Sequence, residues 1–89
     1  MLSDRRLERI VKGFANHRRI QIMRLLSKQP ELSVMEIAHQ LRVELPTASE
    51  HIRKMALGGL LFKRSQGLWV RHRLSERGEA ALAFCSRLH

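Results

Sequence analysis

Between Pro46 and Leu57 the chain sets two short hydroxyls, Thr47 and Ser49, beside a carboxylate, Glu50, an imidazole, His51, and two cations, Arg53 and Lys54. At about 100° per residue, Ala48, Ile52 and Met55 share one helical face, and Pro46, Glu50, Arg53, Lys54 and Leu57 lie opposite, with Thr47 and Ser49 on the flanks. Such a face can read base edges. A guanidinium donates twice to guanine, a carboxylate accepts from cytosine, and small hydroxyls near a helix start let the backbone sink deep into the major groove. A merely solvated amphipathic helix has a similar pattern, so the residues around it must decide.

Those residues are basic. No acid occurs between Glu50 and Glu76, and Arg53, Lys54, Lys63, Arg64, Arg71 and Arg73 all fall in that interval. Leu60 to Arg64 and Leu68 to Leu74 are rich in branched and aromatic residues and are separated by Ser65-Gln66-Gly67, the pattern of a β-hairpin. In its second strand Leu68, Val70, His72 and Leu74 fall on one side and Trp69, Arg71 and Arg73 on the other. A ribbon carrying Lys63, Arg64, Gln66, Arg71 and Arg73 directly after the polar helix is placed to straddle a phosphate backbone or enter the minor groove. The whole chain has 17 Lys and Arg against 8 Asp and Glu, a net charge of +9. Arginine outnumbers lysine thirteen to four, which favours two-pronged grip on phosphate or guanine over a point charge. Solubility or attraction to an anionic membrane would explain the net charge but not its segregation.

The elements that position these groups follow from spacing and caps. Leu7, Ile10, Val11 and Phe14 form one face of a first helix starting near Ser3 or Asp4. Asn16 can cap a second helix, His17 to Lys28, whose Ile20, Ile22, Met23, Leu25 and Leu26 make a stripe broad enough for a central core helix. Pro30 stops it. Ser33 followed by Glu36 is a capping box for a short third helix ending about Leu41. Only Arg42, Val43 and Glu44 separate this from the fourth helix, which tolerates Pro46 in its first turn and closes at Gly58-Gly59. Two short helices joined by a tight turn have helix-turn-helix spacing. After the hairpin, Ser75 can cap a last helix running through Glu76, Ala80, Ala81, Phe84 and Leu88. The expected fold is mainly α with a small β-hairpin, a winged helix-turn-helix in the order α-α-α-α-β-β-α, with residues 1–89 as one domain.

Composition also narrows the function. No run approaches the roughly 18 apolar residues of a membrane span, and charge at Asp4, Arg5 and Arg6 interrupts any secretory signal, so a cytoplasmic location without membrane partners is expected. The one cysteine, Cys85, supports neither a disulfide framework nor a zinc knuckle, and a redox switch there lacks a resolving thiol in the same chain. Glycine-rich phosphate loops, nucleophile elbows and clustered carboxylates are missing, so no enzyme, no cofactor and no metal site are expected.

Over nearly its whole length the chain resembles the ArsR family of winged helix-turn-helix repressors. Phe14-Ala15-Asn16-His17-Arg18-Arg19-Ile20-Gln21-Ile22-Met23 is similar to the family's Leu-Ala-Asp-Pro-Thr-Arg-Leu-Arg-Ile-Leu segment, and Glu31-Leu32-Ser33-Val34-Met35-Glu36-Ile37-Ala38 to its helix-turn-helix opening. Thr47-Ala48-Ser49-Glu50-His51-Ile52 stands where the family reads Ser-Thr-Val-Ser-His-His-Leu, and Gly58-Gly59-Leu60-Leu61 with Gly67-Leu68-Trp69-Val70 resembles its wing. The resemblance implies a homodimer built from the first and last helices, each subunit placing its fourth helix in one major-groove half-site. It implies DNA contacts at Ser33, Pro46, Thr47, Ser49, Glu50, His51, Arg53, Lys54, Lys63, Arg64, Gln66, Arg71 and Arg73. Many family members bind thiophilic metals through a Cys-x-Cys pair near the start of the third helix, where this chain has Ser33 and Met35. On the last helix, in place of the family's Asp and His ligands, it offers Glu76, Glu79, Cys85 and His89.

The apolar pattern bears on the dimer separately. Leu7, Ile10, Val11 and Phe14 together with Ala81, Phe84 and Leu88 exceed what one small core absorbs, so part of them should lie between subunits. Packing of the first helix on the last within one chain is the alternative. For function, the expected reading is a sequence-specific regulator, a repressor bound to double-stranded DNA, with its effector unspecified. The alternative is a winged-helix protein-interaction module, for which Glu50 and Leu57 speak.

Overall fold

A computed structural model describes residues 1–89. Helix α1 spans Asp4–Phe14, α2 His17–Lys28, α3 Val34–Leu41 and α4 Leu45–Leu57; strands β1 Leu61–Gln66 and β2 Trp69–Leu74 precede α5, Glu76–Ser86. Each start signal read from the sequence is used. The Ser3 hydroxyl accepts from the Arg6 amide, Asn16 Oδ1 from Arg18 and Arg19, and Ser75 from Gly78, which satisfies amides that have no intrahelical acceptor. Ser33 and Glu36 close a full capping box: Ser33 Oγ accepts from the Glu36 amide at 3.2 Å, and the Ser33 amide donates to Glu36 Oε1 at 2.9 Å.

Between α3 and α4 the chain turns on Arg42, whose φ of 55° is left-handed. Its amide bonds back to His39 at 3.2 Å, and the tight turn sets α4 across α3. Ile22, Met23, Leu26, Ile37, Met55 and Leu60 are all buried in one core where α2, α3, α4 and the base of the hairpin meet. Burial of one such side chain contributes about 1.5–3 kcal/mol, so this cluster fixes the angle at which α4 is presented. α1 rests on α4 and α2, and α5 on α2 and β2. Gly78 lets α5 come this close, because a Cβ there would collide with the carbonyl oxygen of Leu60, just ahead of β1, and crowd Leu74 of β2.

The hairpin departs from expectation at its tip. β1 pairs antiparallel with β2 from Leu61↔Leu74 to Gln66↔Trp69, which leaves Gly67 and Leu68 as the loop rather than Ser65-Gln66-Gly67. Gly67, at φ +60°, takes the first central position, as a type II′ turn requires. Leu68 is fully exposed, and Val70 and Phe62 are exposed too, so the expected core-facing side of β2 holds only for His72 and Leu74. The outer half of the ribbon projects beyond the core. A further pairing was not legible in the pattern: Leu32 bridges His72, with amide to carbonyl bonds Glu31 to His72 at 2.9 Å and His72 to Leu32 at 2.8 Å. It ties the wing to the lead-in of α3. α5 ends at Ser86, so Leu88 lies past the helix.

His72 is buried, and its Nδ1–H donates to the Leu32 carbonyl at 3.0 Å. Burial, the larger influence, lowers its proton affinity below the ordinary imidazole value, and His51 is lowered in the same direction by burial and then by Arg19. The unfolded chain therefore binds protons that the folded chain does not. Stability is expected to be fully present above the unfolded value near 6.5 and to decline as pH falls below it, with His72→Gln flattening the slope. Urea unfolding midpoints between pH 8 and 5 measure this, and a midpoint that rises on acidification contradicts it.

Candidate nucleic-acid interface

Helix α4 turns Ala48, Ile52 and Met55 into the core and leaves Pro46, Thr47, Ser49, Glu50, Arg53 and Lys54 exposed, the division expected from spacing. Its N-terminal turn presents the small hydroxyls outward with no element over them. One turn on, Glu50 and Arg53 are engaged with each other: Arg53 Nε donates to Glu50 Oε2 at 2.9 Å and Nη2 to Oε1, with Lys54 Nζ 3.8 Å from the same carboxylate. The Arg53 hydrogen bonds hold the Glu50 carboxyl below its ordinary range and raise Arg53 in return. The two groups assigned to base choice therefore form a single preset unit.

His51 faces away from this surface. It is half-buried toward α2, with Nδ1 accepting from Arg19 Nε at 3.1 Å, which fixes the neutral tautomer bearing hydrogen on Nε2. Ser33 is also removed from the surface, 2% exposed, with both its hydroxyl and its amide committed to the capping box. Both position the site's helices.

On the wing, register sets Arg64 directly opposite Arg71, a like-charge pair that destabilises a ladder unless compensated. Acids from outside the hairpin supply the compensation. Arg64 Nη2 lies 3.2 Å from Glu31 Oε2, and Arg71 Nη1 lies 2.6 Å from Glu36 Oε1 while Nε donates to Gln66 Oε1 at 3.3 Å. Glu36 thus holds both the α3 cap and the wing, and its carboxyl is lowered first by the Ser33 amide and further by Arg71. Arg71 sits 5.9 Å over Trp69, and Arg73 5.4 Å over Phe62. The charge segregation along the chain is partly undone in space, and Lys63 and Arg73 are the wing cations without a carboxylate. Sequence reasoning missed Glu31 and Glu36 as clamps. No local pattern signals partners 33 and 35 residues away, although Glu31's positive φ of 70° marks the strained bend that aims it.

The apolar residues expected between subunits divide as well. Leu7, Val11, Phe84 and Leu88 are exposed, Ile10 and Phe14 are partly buried against the core, and Ala81 belongs to the core itself. With α1 seated on α4 and α2, and α5 on α2 and β2, the exposed residues are not consumed by packing of the first helix on the last.

A polar helix at the end of a tight helix-helix turn, flanked by a basic ribbon, defines a winged helix-turn-helix. Residues 16–61 match the model of the bacterial regulatory protein, arsR family, and the chain belongs to that family. It is 38% identical over 66 residues to the arsenical resistance operon repressor of Escherichia coli, covering 74% of this chain and 56% of that protein. The chain spans about half the length of curated relatives it matches. Among solved structures, the homodimeric winged helix-turn-helix DNA-binding domain (fragment 1–100) of a possible ArsR-family regulator from Mycobacterium bovis superposes with a TM-score of 0.82 at 32% identity, over 97% of this chain and 85% of that one. The transcriptional repressor PagR of Bacillus anthracis superposes at 0.79 with 26% identity, over 91% and 93% of the two chains.

Proposed function

We propose that this chain is a cytoplasmic, sequence-specific regulator of transcription that binds double-stranded DNA as a homodimer and acts as a repressor. The observation that carries the reading is the unobstructed outer face of α4, with Thr47, Ser49 and the Glu50–Arg53 pair exposed on a helix held rigidly by Ala48, Ile52 and Met55. Membership of the family, the repressors among its relatives and the homodimeric M. bovis domain support it. Leu7, Val11, Phe84 and Leu88 supply an apolar surface for the two-fold contact. No helix is long and apolar enough to cross a membrane.

Division of labour follows from the ion pairs. Lys63 and Arg73 are free to meet phosphates, so Lys63→Gln or Arg73→Gln should weaken binding to all sequences alike and reduce the logarithmic salt slope by about 0.9 each. Arg71 is already neutralised by Glu36. Arg71→Gln should therefore change the slope less than either, while loosening the wing. Duplex titrations at several salt concentrations, read by fluorescence anisotropy, measure both quantities. Equal slope losses for all three would contradict the role given to Glu36.

A protein-interaction role is favoured by one observation, the exposure of Leu57 at 63% at the end of α4. The test between the readings is competition: a duplex carrying the preferred site should survive an excess of random duplex at near-physiological salt, with the protein dimeric by mass. A monomer whose DNA binding vanishes as salt rises would favour the interaction module.

A further inference from the structure

Helix α1 has a second face that DNA reading by α4 and the wing does not use. At about 100° per residue Arg5, Arg9 and Lys12 lie nearly opposite Leu7 and Val11. They line a cleft of about 950 Å³ between α1 and the later half of α4, whose other wall carries Lys54 and Leu57. The sole acid in its lining, Glu8, pairs with Lys12 at 3.4 Å across an exposed surface, which leaves the cations in large excess. Clustered like charges repel, and a fold keeps them together at a cost in stability.

The floor is Arg19. It is 9% exposed and has no carboxylate partner; Nη1 donates to the Lys12 carbonyl at 2.7 Å and Nε to His51 Nδ1 at 3.1 Å. Those two bonds fix the guanidinium plane. Nη2 has no protein acceptor, yet no buried side-chain nitrogen or oxygen of the chain is left without a partner, so Nη2 keeps solvent access on a residue that lines the cleft. A rigid, charged, nearly buried fork with free donors, ringed by three further arginine and lysine side chains and Lys54, matches the several acceptor oxygens of a phosphate group.

We propose that this cleft is a phosphate-binding site, with Arg19 as the positioned donor and Arg5 and Arg9 as its outer clamp. The exposed apolar stripe of α1, Leu7 and Val11, points the other way, so a second subunit seated on that stripe would leave the cleft open. The phosphate has two possible sources, the DNA backbone beside α4 or a free phosphate-bearing small molecule. In the first case the proposal rests on the function proposed above.

The experiment uses the full chain and Arg5→Gln/Arg9→Gln, two substitutions at exposed positions, with far-ultraviolet circular dichroism to establish equal folding. Inorganic pyrophosphate is titrated against chloride at matched ionic strength while the Gly13 and Lys54 amide and Arg19 Nε–H signals are followed by NMR. Saturable shifts confined to these groups, with half-saturation at least about fivefold weaker in the double variant, establish a site for free phosphate. If pyrophosphate does not saturate but the double variant lowers the salt slope of duplex binding by about 1.8, the occupant is backbone phosphate. Diffuse, unsaturable shifts together with an unchanged slope overturn the proposal. Should the wild-type chain prefer no DNA sequence, the DNA reading fails separately, and pyrophosphate saturation still decides the cleft.

Discussion

Replacement of Arg53 by Ala should cost the complex with preferred DNA about 1–3 kcal/mol, roughly five- to 150-fold in affinity, and relax selection at one base-pair position per half-site. The reason lies in the exposed outer face of α4, where Arg53 is the one guanidinium and can reach a guanine edge with two parallel donors. Its partner makes the prediction sharper. Glu50 already holds Nε at 2.9 Å, so the free protein presents an oriented fork, and the carboxylate repels backbone phosphate on sequences where it finds no cytosine amino group. Glu50→Gln should therefore act in the opposite sense on wrong sequences. It should tighten binding to random duplex while narrowing the gap between preferred and random DNA. Affinities of both variants for matched and mismatched duplexes at one salt concentration measure this. If Arg53→Ala weakened every duplex equally, Arg53 would be a phosphate contact and not a reader.

The second large effect concerns the seat of α4. Met55 is fully buried among the core residues that join α4 to α2 and the hairpin base. Met55→Ala deletes most of that side chain and leaves a cavity, an expected loss of about 2–5 kcal/mol. Native domains hold about 5–15 kcal/mol in all, so much of the margin disappears. Leu57, two residues on, is 63% exposed, and Leu57→Ala should shift stability by less than about 0.5 kcal/mol. Gly78→Ala should destabilise by the opposite mechanism, since the added methyl collides with the Leu60 carbonyl where α5 crosses β1's lead-in. Urea unfolding of each variant, at fixed protein concentration because the proposed dimer would add to stability, gives the comparison. Equal losses for Met55→Ala and Leu57→Ala would mean that the helix is not anchored as described.

What the sequence made legible was local. Caps at Asn16, Ser33 and Ser75 involve partners within three residues, and α1, α2 and the inward face of α4 follow from apolar spacing, so each lies where the pattern put it. The outward face of α4 was legible for the same reason. What was not legible depends on residues far apart in the chain. The Leu32–His72 bridge, the Glu31 and Glu36 clamps on Arg64 and Arg71, and the Arg19–His51 hydrogen bond join positions more than thirty apart. His51 was expected at the DNA because type and position alone do not show that it turns toward α2; Ser33 was legible as a cap, and that role leaves neither its hydroxyl nor its amide for the DNA contact the resemblance implied. The hairpin loop slipped from Ser65-Gln66-Gly67 to Gly67-Leu68 because a fully exposed leucine at a turn runs against the composition rule, while glycine at the first central position satisfies the backbone. These corrections move charge. The wing is less basic in space than along the chain, and the cleft behind α4, floored by Arg19, is more so.

The most direct test of the central claim is selection of bound sequences from a random duplex library at near-physiological salt, repeated with Arg53→Ala. The account predicts a two-fold symmetric motif with half-sites about 34–36 Å apart, one helical turn, and loss of preference at one symmetric position in the variant. Recovery of no motif, or of the same motif from the variant, would contradict the assignment of sequence choice to the outer face of α4.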